Sequence, residues 1–333
     1  MIITKTPFRM SFFGGGTDME EYFNKYNGSV ISTTFDKYCY VNVRHLPPFF
    51  EYRNEIIYSK TERVVSVDEI VHPAVRNAMR YMDMHEIRLA YEADLPARSG
   101  LGTSSSFAVG MLNAFYALKG KYADKKKLAD EAIYLERKLC QESGGWQDQI
   151  AVAFGGLNRI DFSNNSYSVN PIIISPERKS QLNNNLMMFF TGFTRFSFQI
   201  HGETNSENKE NKNAVLKEMY ALVSEAEQIL QNEGRSLDEF GKLLDYTWSL
   251  KKQSSSKISN DSIDLMYERA KKAGAIGGKL LGAGGGGFLV FYVDPEKRAA
   301  VKEALSDLLY IPFNFESNGS SVIYYSPETY ENI

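Results

Sequence analysis

Residues 94–106 read Asp-Leu-Pro-Ala-Arg-Ser-Gly-Leu-Gly-Thr-Ser-Ser-Ser and lead into apolar residues at helical spacing, which predict a helix from Ser104 to Leu118. Backbone N–H groups at a helix N-terminus bind anions, and neighbouring glycines and hydroxyls favour such a site. One serine is enough to cap a helix, so three in succession exceed that need. The stretch therefore predicts either a phosphate-binding loop or an ordinarily capped structural helix.

A second glycine segment lies near the start of the chain. Residues 6–18 read Thr-Pro-Phe-Arg-Met-Ser-Phe-Phe-Gly-Gly-Gly-Thr-Asp, an apolar strand that ends in three glycines and an acid. Glycines at a strand end leave space for a ligand, Asp18 can accept hydrogen bonds from substrate hydroxyls, and Arg9 can bring a positive charge to the site. The alternative is a simple turn with a solvated aspartate.

A third glycine segment, residues 277–287, reads Gly-Gly-Lys-Leu-Leu-Gly-Ala-Gly-Gly-Gly-Gly. It contains a literal G-x-G-x-x-G, but a dinucleotide fingerprint needs a strand before it and a helix after it, whereas the order predicted here is helix, loop, strand. A Walker A loop is one residue short, and Leu280 stands where Ser or Thr would hold Mg²⁺. What remains is either a backbone that approaches another surface closely or a tight packing turn.

Two acids add possible chemistry. A helix is predicted from Asp124 to Glu142, with Glu136 at the edge of its apolar face. The segment that follows, Glu-Ser-Gly-Gly-Trp-Gln-Asp-Gln at 142–149, contains Asp148 in a glycine-rich context. An aspartate so placed can face a substrate hydroxyl, and a helix glutamate can bind Mg²⁺ through oxygen, although either acid alone is more often solvated.

The remaining pattern predicts strands and helices along the whole chain. A polar, charged stretch at 201–213 predicts a mobile loop or lid, and a change of pattern puts a domain boundary near residue 180. The other predicted elements are strands at 29–35, 38–43, 288–293 and 321–325 and helices at 214–232, 236–252, 262–273 and 295–309.

Composition excludes several classes of protein. Among 333 residues, 43% are hydrophobic and 24% charged, which supports a large core and excludes a disordered chain. The formal charge of −3 favours neither nucleic acid nor an anionic membrane as a partner. Two isolated cysteines, Cys39 and Cys140, argue against disulfides and a zinc site. Without a basic and then apolar leader or a spanning segment, the expected location is the cytoplasm.

Together and in this order, the three glycine segments resemble the motifs of the GHMP small-molecule kinases, named for galactokinase, homoserine kinase, mevalonate kinase and phosphomevalonate kinase. Residues 7–18, 96–106 and 279–287 match the first, second and third motif, so the resemblance spans nearly the whole chain. It implies a two-domain α+β fold, with an N-terminal domain similar to domain 2 of ribosomal protein S5 (1–180) and a ferredoxin-like C-terminal domain (181–333). The active site is expected between them.

The same resemblance implies roles for individual residues. Asp148 is the implied base and Arg9 the residue that stabilises negative charge, while Ser104 and Glu136 are the implied Mg²⁺ ligands. The implied substrate-binding residues are Asp18, Gly15, Gly16 and Arg195. The residues implied to surround the ATP phosphates are Gly100, Gly102, Thr103, Ser104, Ser105, Ser106, Gly282, Gly284 and Gly285.

Within the family, galactokinases carry Glu-His where Gly15 and Gly16 stand here, which disfavours galactose as the substrate. The motifs are most similar to the subgroup that phosphorylates the anomeric hydroxyl of a heptose 7-phosphate for surface polysaccharide. The expected partner is therefore a small-molecule sugar phosphate, and the expected state is a monomer or homodimer. A substrate phosphate needs a cation, for which the candidates are Arg195, Arg98, Lys37, Arg44 and Lys252.

Two alternatives to this reading stay open. One is a related kinase for an unphosphorylated sugar such as L-fucose. The other is a non-catalytic relative that binds ATP and sugar, which would be expected to lack Asp148, Arg9 or the acid that binds Mg²⁺, whereas this chain has all three.

Overall fold

The computed structural model describes residues 1–97, 99–192, 209–255, 258–282 and 284–328. Within these ranges the chain forms two β-sheets with helices packed against them. The strands are β1 (Ile2–Phe13), β2 (Gly28–His45), β3 (Asn54–Ile57), β4 (Thr61–Val64), β5 (Ile87–Ala93), β6 (Asn158–Ser163), β7 (Ser166–Pro171), β8 (Leu186–Phe190), β9 (Ala275–Leu280), β10 (Phe288–Val293), β11 (Leu309–Ile311), β12 (Phe315–Glu316) and β13 (Ser321–Tyr325).

The helices fall into two groups along the chain: α1 to α6 lie before residue 186, and α7 to α10 lie after residue 208. They are α1 (Glu20–Tyr26), α2 (Pro73–Tyr81), α3 (Thr103–Leu118), α4 (Lys125–Tyr134), α5 (Gln147–Phe154), α6 (Pro176–Asn185), α7 (Lys209–Gln231), α8 (Asp238–Ser254), α9 (Asp261–Lys272) and α10 (Arg298–Ala304). A π-helical segment, Leu135–Leu139, follows α4, and short 3-10 turns form at Val67–Glu69 and Pro295–Lys297.

The first sheet has the strand order β13-β1-β2-β5-β3-β4, with β6 and β12 also paired to β2, and β7 to β6. β3 and β5 run parallel, and the other strand pairs described in this sheet are antiparallel. Two late strands therefore belong to this sheet: β12 pairs with β2, and β13 pairs with β1, where Ile2 faces Tyr325. The predicted strand at 321–325 is confirmed.

The two strands predicted at 29–35 and 38–43 form one continuous strand, β2. The reason lies in its pairing with β1, which continues through both halves: Phe8 faces Phe35 and Pro7 faces Tyr38, so the two intervening residues form a bulge. Proline has no N–H to donate to the ladder, which makes this position suitable for an irregularity.

Helix α3 is the centre of the N-terminal part. Nearly all of its residues are buried, because β1 and β2 pack on one side and α4 and α5 on the other. A helix that is apolar all round belongs inside a domain. The helix predicted from Ser104 to Leu118 is confirmed, with its first residue at Thr103.

The second sheet has the order β11-β8-β10-β9, with α8 and α9 against β9. The prediction of a loop over residues 277–287 was only partly right, because Gly277 and Gly278 lie within β9. Here α8 approaches the strand so closely that a Cβ on Gly277 would collide with the carbonyl oxygen of Gly241. The glycines permit close packing of a helix on a strand, a use that their strand propensity does not reveal.

The helices predicted at 214–232, 236–252 and 262–273 are confirmed as α7, α8 and α9, and the strand predicted at 288–293 is β10. The helix predicted at 295–309 is shorter and ends at Ala304, because Leu309–Ile311 pairs with β8 instead. Of the predicted lid, residues 209–213 belong to α7, and the rest lies outside the described residues. The domain boundary near residue 180 stays a prediction. None of the helices in the described ranges has the length and apolar character needed to cross a membrane.

Candidate active site

An ion pair between a buried arginine and a partly exposed aspartate joins the first strand to the start of α5. Arg9 is 3% exposed, and its Nε and Nη2 donate to the two carboxylate oxygens of Asp148, each at 2.8 Å. Its Nη1 donates to the carbonyl oxygen of Gly100 at 2.6 Å. A bidentate guanidinium–carboxylate contact fixes orientation as well as charge. The two residues predicted to be catalytic are therefore together, beside the loop of the second motif.

The loops of the second and third motifs are packed against each other, backbone to backbone. A Cβ on Gly100 would collide with the carbonyl oxygen of Leu281, and one on Gly287 would collide with the carbonyl oxygen of Ser99. Gly100 and Gly102 have φ angles of 85° and 72°, a region that favours glycine. The close approach that the third segment was predicted to make is thus made to the second.

The start of α3 presents backbone N–H groups at this junction. The first intrahelical bond runs from the N–H of Ser106 to the carbonyl oxygen of Gly102 at 2.9 Å, so the N–H groups of residues 103–105 precede it. The hydroxyl of Ser106 donates to the carbonyl oxygen of Pro7 at 2.9 Å. Both donors of Ser106 bond within the protein, and its part in the phosphate cradle, implied by its position in the motif, stays a prediction.

Glu136 lies next to this helix start. It is 2% exposed and accepts hydrogen bonds from the hydroxyls of Ser104 at 2.9 Å and Ser105 at 2.8 Å, and from the side-chain amide of Gln149. Burial raises the pKa of Glu136 above its ordinary value. The predicted helix 124–142 was wrong at this point: α4 ends at Tyr134, and a π-helical turn, closed by the bond from Cys140 N–H to Leu135 O at 2.8 Å, follows.

The oxygen atoms around Glu136 fit Mg²⁺. This ion is bound through one or two carboxylates together with substrate phosphates and water, rather than by a full protein cage. The described residues contain no group of three or more His, Cys, Asp or Glu side chains suited to hold a metal. Glu136 and Ser104 would hold the ion, and its charge would neutralise the phosphate oxygens beside α3.

Asp18 holds the start of α5 in place. Its carboxylate accepts the N–H groups of Gly16 at 2.8 Å and Gln147 at 3.3 Å, and its backbone oxygen accepts the N–H of Trp146 at 3.1 Å. Burial, and then the negative charge of Asp148, raise the pKa of Asp18 above its ordinary value. A Cβ on Gly145 would collide with this carboxylate. Asp18 thus positions Asp148, and its predicted contact with substrate hydroxyls stays a prediction.

The remaining glycines of the prediction divide into two groups. Gly282 adjoins Gly100 and accepts a hydrogen bond from Lys251 through its carbonyl oxygen. Gly284 packs on Ile258, and the N–H of Gly285 donates to the carbonyl oxygen of that residue at 3.1 Å. The N–H of Gly285 is therefore engaged within the protein, and the part of Gly282, Gly284 and Gly285 in binding the ATP phosphates stays a prediction.

Lys279 is a charged residue at the site to which the sequence reasoning assigned no role. It is 2% exposed on β9, and its Nζ donates to the carbonyl oxygen of Phe12 on β1 at 2.8 Å, so it links the two sheets. Burial, and then the positive charges of Lys251 and Arg9, lower the pKa of Lys279 well below its ordinary value of 10.5. The sequence feature that could have indicated this residue is a lysine within an apolar, glycine-rich segment.

We expect the substitution Lys279→Met to flatten the dependence of stability on pH. Between the lowered pKa of the folded state and 10.5, the unfolded chain holds one proton more than the folded chain, so the free energy of unfolding rises with pH, by up to about 1.4 kcal/mol per pH unit. Methionine removes this proton. Urea unfolding at several pH values in that interval measures both slopes, and equal slopes would contradict a buried, titrating Lys279.

Of the cations considered for a substrate phosphate, three are paired with carboxylates. Lys37 pairs with Asp36 at 3.0 Å, Arg44 with Glu328 at 3.7 Å and Lys252 with Asp264 at 3.1 Å. Arg98 and Arg195 lie outside the described residues.

Phosphoryl transfer needs mainly positioning and charge stabilisation. The site offers both, through a helix N-terminus packed against a second glycine loop, a buried acid among hydroxyls and an Arg–Asp pair. This arrangement is that of a small-molecule kinase. The sequence profile of the GHMP kinase N-terminal domain matches residues 69–156, and that of the C-terminal domain matches residues 219–311. The chain belongs to the GHMP kinase family and is a phosphotransferase with an alcohol group as acceptor.

Curated relatives include D-glycero-alpha-D-manno-heptose 7-phosphate kinase of Campylobacter jejuni, which is 31% identical over 91% of this chain and 93% of its own. The bifunctional fucokinase/GDP-fucose pyrophosphorylase of Arabidopsis thaliana is 28% identical over 68% of this chain, which spans only 22% of that longer protein.

Solved structures share the fold. A D-glycero-D-manno-heptose 1-phosphate kinase from Bacteroides thetaiotaomicron superposes with a TM-score of 0.77 at 24% identity, covering 98% of this chain and all of that one. Lactococcus lactis galactokinase, complexed with galactose, gives a TM-score of 0.69 at 16% identity, covering 96% and 94%. The predicted two-domain α+β GHMP kinase fold is confirmed.

Proposed function

We propose that this protein transfers the γ-phosphoryl group of ATP, with Mg²⁺, to the anomeric hydroxyl of D-glycero-α-D-manno-heptose 7-phosphate. The bond between that oxygen and the γ-phosphorus forms, the bond to the β-phosphate oxygen breaks, and ADP and the 1,7-bisphosphate leave. Such a product would feed the synthesis of nucleotide-activated heptose for surface polysaccharide.

One observation carries the choice of substrate. The C. jejuni heptose 7-phosphate kinase matches this chain at 31% identity over 91% of this chain and 93% of its own, whereas the fucokinase relative matches over a smaller share of each. Arg9, Asp148 and Glu136 are assigned to phosphoryl transfer itself, so they do not choose among sugars.

The roles proposed for these residues follow from their contacts. Asp148 accepts the proton of the sugar hydroxyl, and the fork of Arg9 orients it and offsets negative charge on the phosphoryl group in transfer. The α3 N-terminus, with Gly100, Gly102 and Thr103 in its approach, receives the phosphates. Ser104 and Glu136 hold Mg²⁺, which supplies charge neutralisation when it is bound.

A second candidate is a kinase for an unphosphorylated sugar such as L-fucose. One observation favours this candidate: Lys37, Arg44 and Lys252 each pair with a carboxylate of the protein. Cations paired in this way are not set aside for a substrate phosphate. In the leading proposal that phosphate is bound by Arg195, or by Arg98, as the sequence predicted.

The test is ADP release dependent on ATP and Mg²⁺ across heptose 7-phosphate, mannose 6-phosphate, L-fucose, galactose and mevalonate, with ³¹P NMR of any product. We expect a new anomeric phosphate on heptose 7-phosphate and at least ~10-fold lower kcat/KM for the unphosphorylated compounds, because a site built for a phosphate loses that contact with them. Turnover of an unphosphorylated sugar alone would replace the substrate and leave the phosphoryl-transfer residues as assigned.

A further inference from the structure

Two buried polar atoms near the Arg9–Asp148 pair lack a partner. The hydroxyl oxygen of Ser11 and the side-chain oxygen Oε1 of Gln147 are shielded from solvent and make no hydrogen bond to any described residue. Ser11 itself is 5% exposed. Buried polar groups without partners are rare in folded proteins and call for an explanation, one of which is a ligand that supplies the missing bond.

Both atoms belong to residues that are close in sequence to the reacting groups. Ser11 follows Arg9 by two residues on β1, so the alternation of a strand puts the two side chains on the same face. Gln147 directly precedes Asp148 at the start of α5, and its backbone N–H is held by Asp18 at 3.3 Å. The first motif thus contributes one charged and one uncharged polar side chain, Arg9 and Ser11, and the start of α5 does the same with Asp148 and Gln147.

A glycine separates the two polar side chains. An ideal Cβ on Gly15 would lie 3.8 Å from Ser11 Oγ and 3.8 Å from Gln147 Nε2, and no other atom of the described chain, apart from its immediate neighbours, comes within 4 Å of it. These are ordinary contact distances, so a methyl group would fit. The absence of a side chain at residue 15 therefore leaves a polar gap that packing alone does not demand. We call the group of Ser11, Gly15 and Gln147 the polar gap.

The polar gap has the chemistry of a hydroxyl-binding site. A sugar hydroxyl both donates and accepts, so it can donate to Gln147 Oε1 and also pair with the hydroxyl of Ser11. We propose that the polar gap binds the hydroxyl next to the reacting one, so that the acceptor is recognised as a vicinal diol. This inference rests on the proposed function in that the acceptor is a sugar, and in heptose 7-phosphate the hydroxyl concerned is that on C2.

The test compares three variants on an acceptor with and without that hydroxyl. Ser11→Ala, Gln147→Leu and Gly15→Ala are assayed with heptose 7-phosphate and with its 2-deoxy analogue. We expect each variant to lose about 10- to 100-fold in kcat/KM on the parent sugar, less than 3-fold on the deoxy analogue, and to keep its KM for ATP. Equal losses on both sugars, or none, would overturn the proposal.

A second measurement needs no substrate. Removing an unpaired buried hydroxyl relieves a cost, so Ser11→Ala should leave the melting temperature of the free enzyme unchanged or raise it. A drop of more than about 3 °C would show that Ser11 has a structural partner, and it would overturn the inference. Ser29→Ala is the matched control, because Ser29 Oγ is also buried without a partner among the described residues but does not border Gly15.

Failure of the substrate assignment stays separable from failure of this inference. If another sugar of the panel is the acceptor, that sugar and its analogue lacking the neighbouring hydroxyl replace the heptose pair in the same comparison. Loss of discrimination in the three variants then supports the polar gap with a different substrate, and unchanged discrimination overturns it.

Discussion

Replacing Asp148 with Asn lowers kcat by at least ~10²-fold in the expected result, while the affinity for ATP stays within about twofold of wild type. Asparagine is nearly the same size and can still accept a hydrogen bond from Arg9, but it cannot take a proton from the sugar hydroxyl and does not balance the guanidinium charge. In the proposed function the α3 N-terminus, on a different element, receives the ATP phosphates. Steady-state turnover and nucleotide titration measure the two quantities.

The control for this variant is Asp161→Asn. Asp161 also accepts from an arginine, Arg159, at 2.8 Å, but it lies on β6, away from the candidate site. The substitution Asp161→Asn removes the same charge from a similar pair, and it should leave kcat unchanged. Near-normal turnover by Asp148→Asn would refute a role for this residue in proton transfer, and an equal loss in both variants would point to a general effect of charge.

The variant Glu136→Gln should reduce kcat by about 10²-fold and raise the Mg²⁺ concentration needed for half-maximal rate by at least tenfold. The amide keeps the size of the side chain, but it removes the only negative charge that the proposed Mg²⁺ ligands, Ser104 and Glu136, supply. Its stability without Mg²⁺ should equal or exceed that of wild type, because burial raises the pKa of Glu136 and the folded state therefore disfavours its charged form. Rates measured against Mg²⁺ concentration and urea unfolding give both results.

Glu131→Gln is a suitable comparison, since Glu131 lies on the preceding α4 and accepts from the hydroxyl of Tyr116 at 2.7 and 2.8 Å. It should keep a normal Mg²⁺ dependence. A Glu136→Gln enzyme whose Mg²⁺ dependence is unchanged would remove Glu136 from the metal site and leave it as a hydrogen-bond acceptor for the serines of α3.

The sequence predicted best those features that local residue patterns determine. The helix after Ser104, the Arg9 and Asp148 side chains and the three glycine segments are marked by short motifs with fixed spacing, and the structure brings them to one junction. The elements α7 to α9 follow from helical periodicity alone.

Other features depend on contacts between distant parts of the chain. An α-helix of 3.6 residues per turn, continued through residue 136, would put Glu136 at the edge of the apolar face. The chain instead forms a π-helical turn with an i→i+5 hydrogen bond, and Glu136 is turned inward. Gly277 lies in a strand that pairs with β10 and is packed closely by α8, and Lys279 donates to β1, more than 260 residues earlier. No local pattern contains these partners.

The pairing of β13 with β1 has a consequence for how the protein is made. At a synthesis rate of 5–20 residues per second, the partner of the first strand emerges roughly 15–60 s after that strand itself. For that interval one edge of the first sheet has exposed N–H and C=O groups, a condition in which strands pair with other chains. The newborn N-terminal half is therefore a natural client for a ribosome-bound chaperone, and fast overproduction should favour its aggregation.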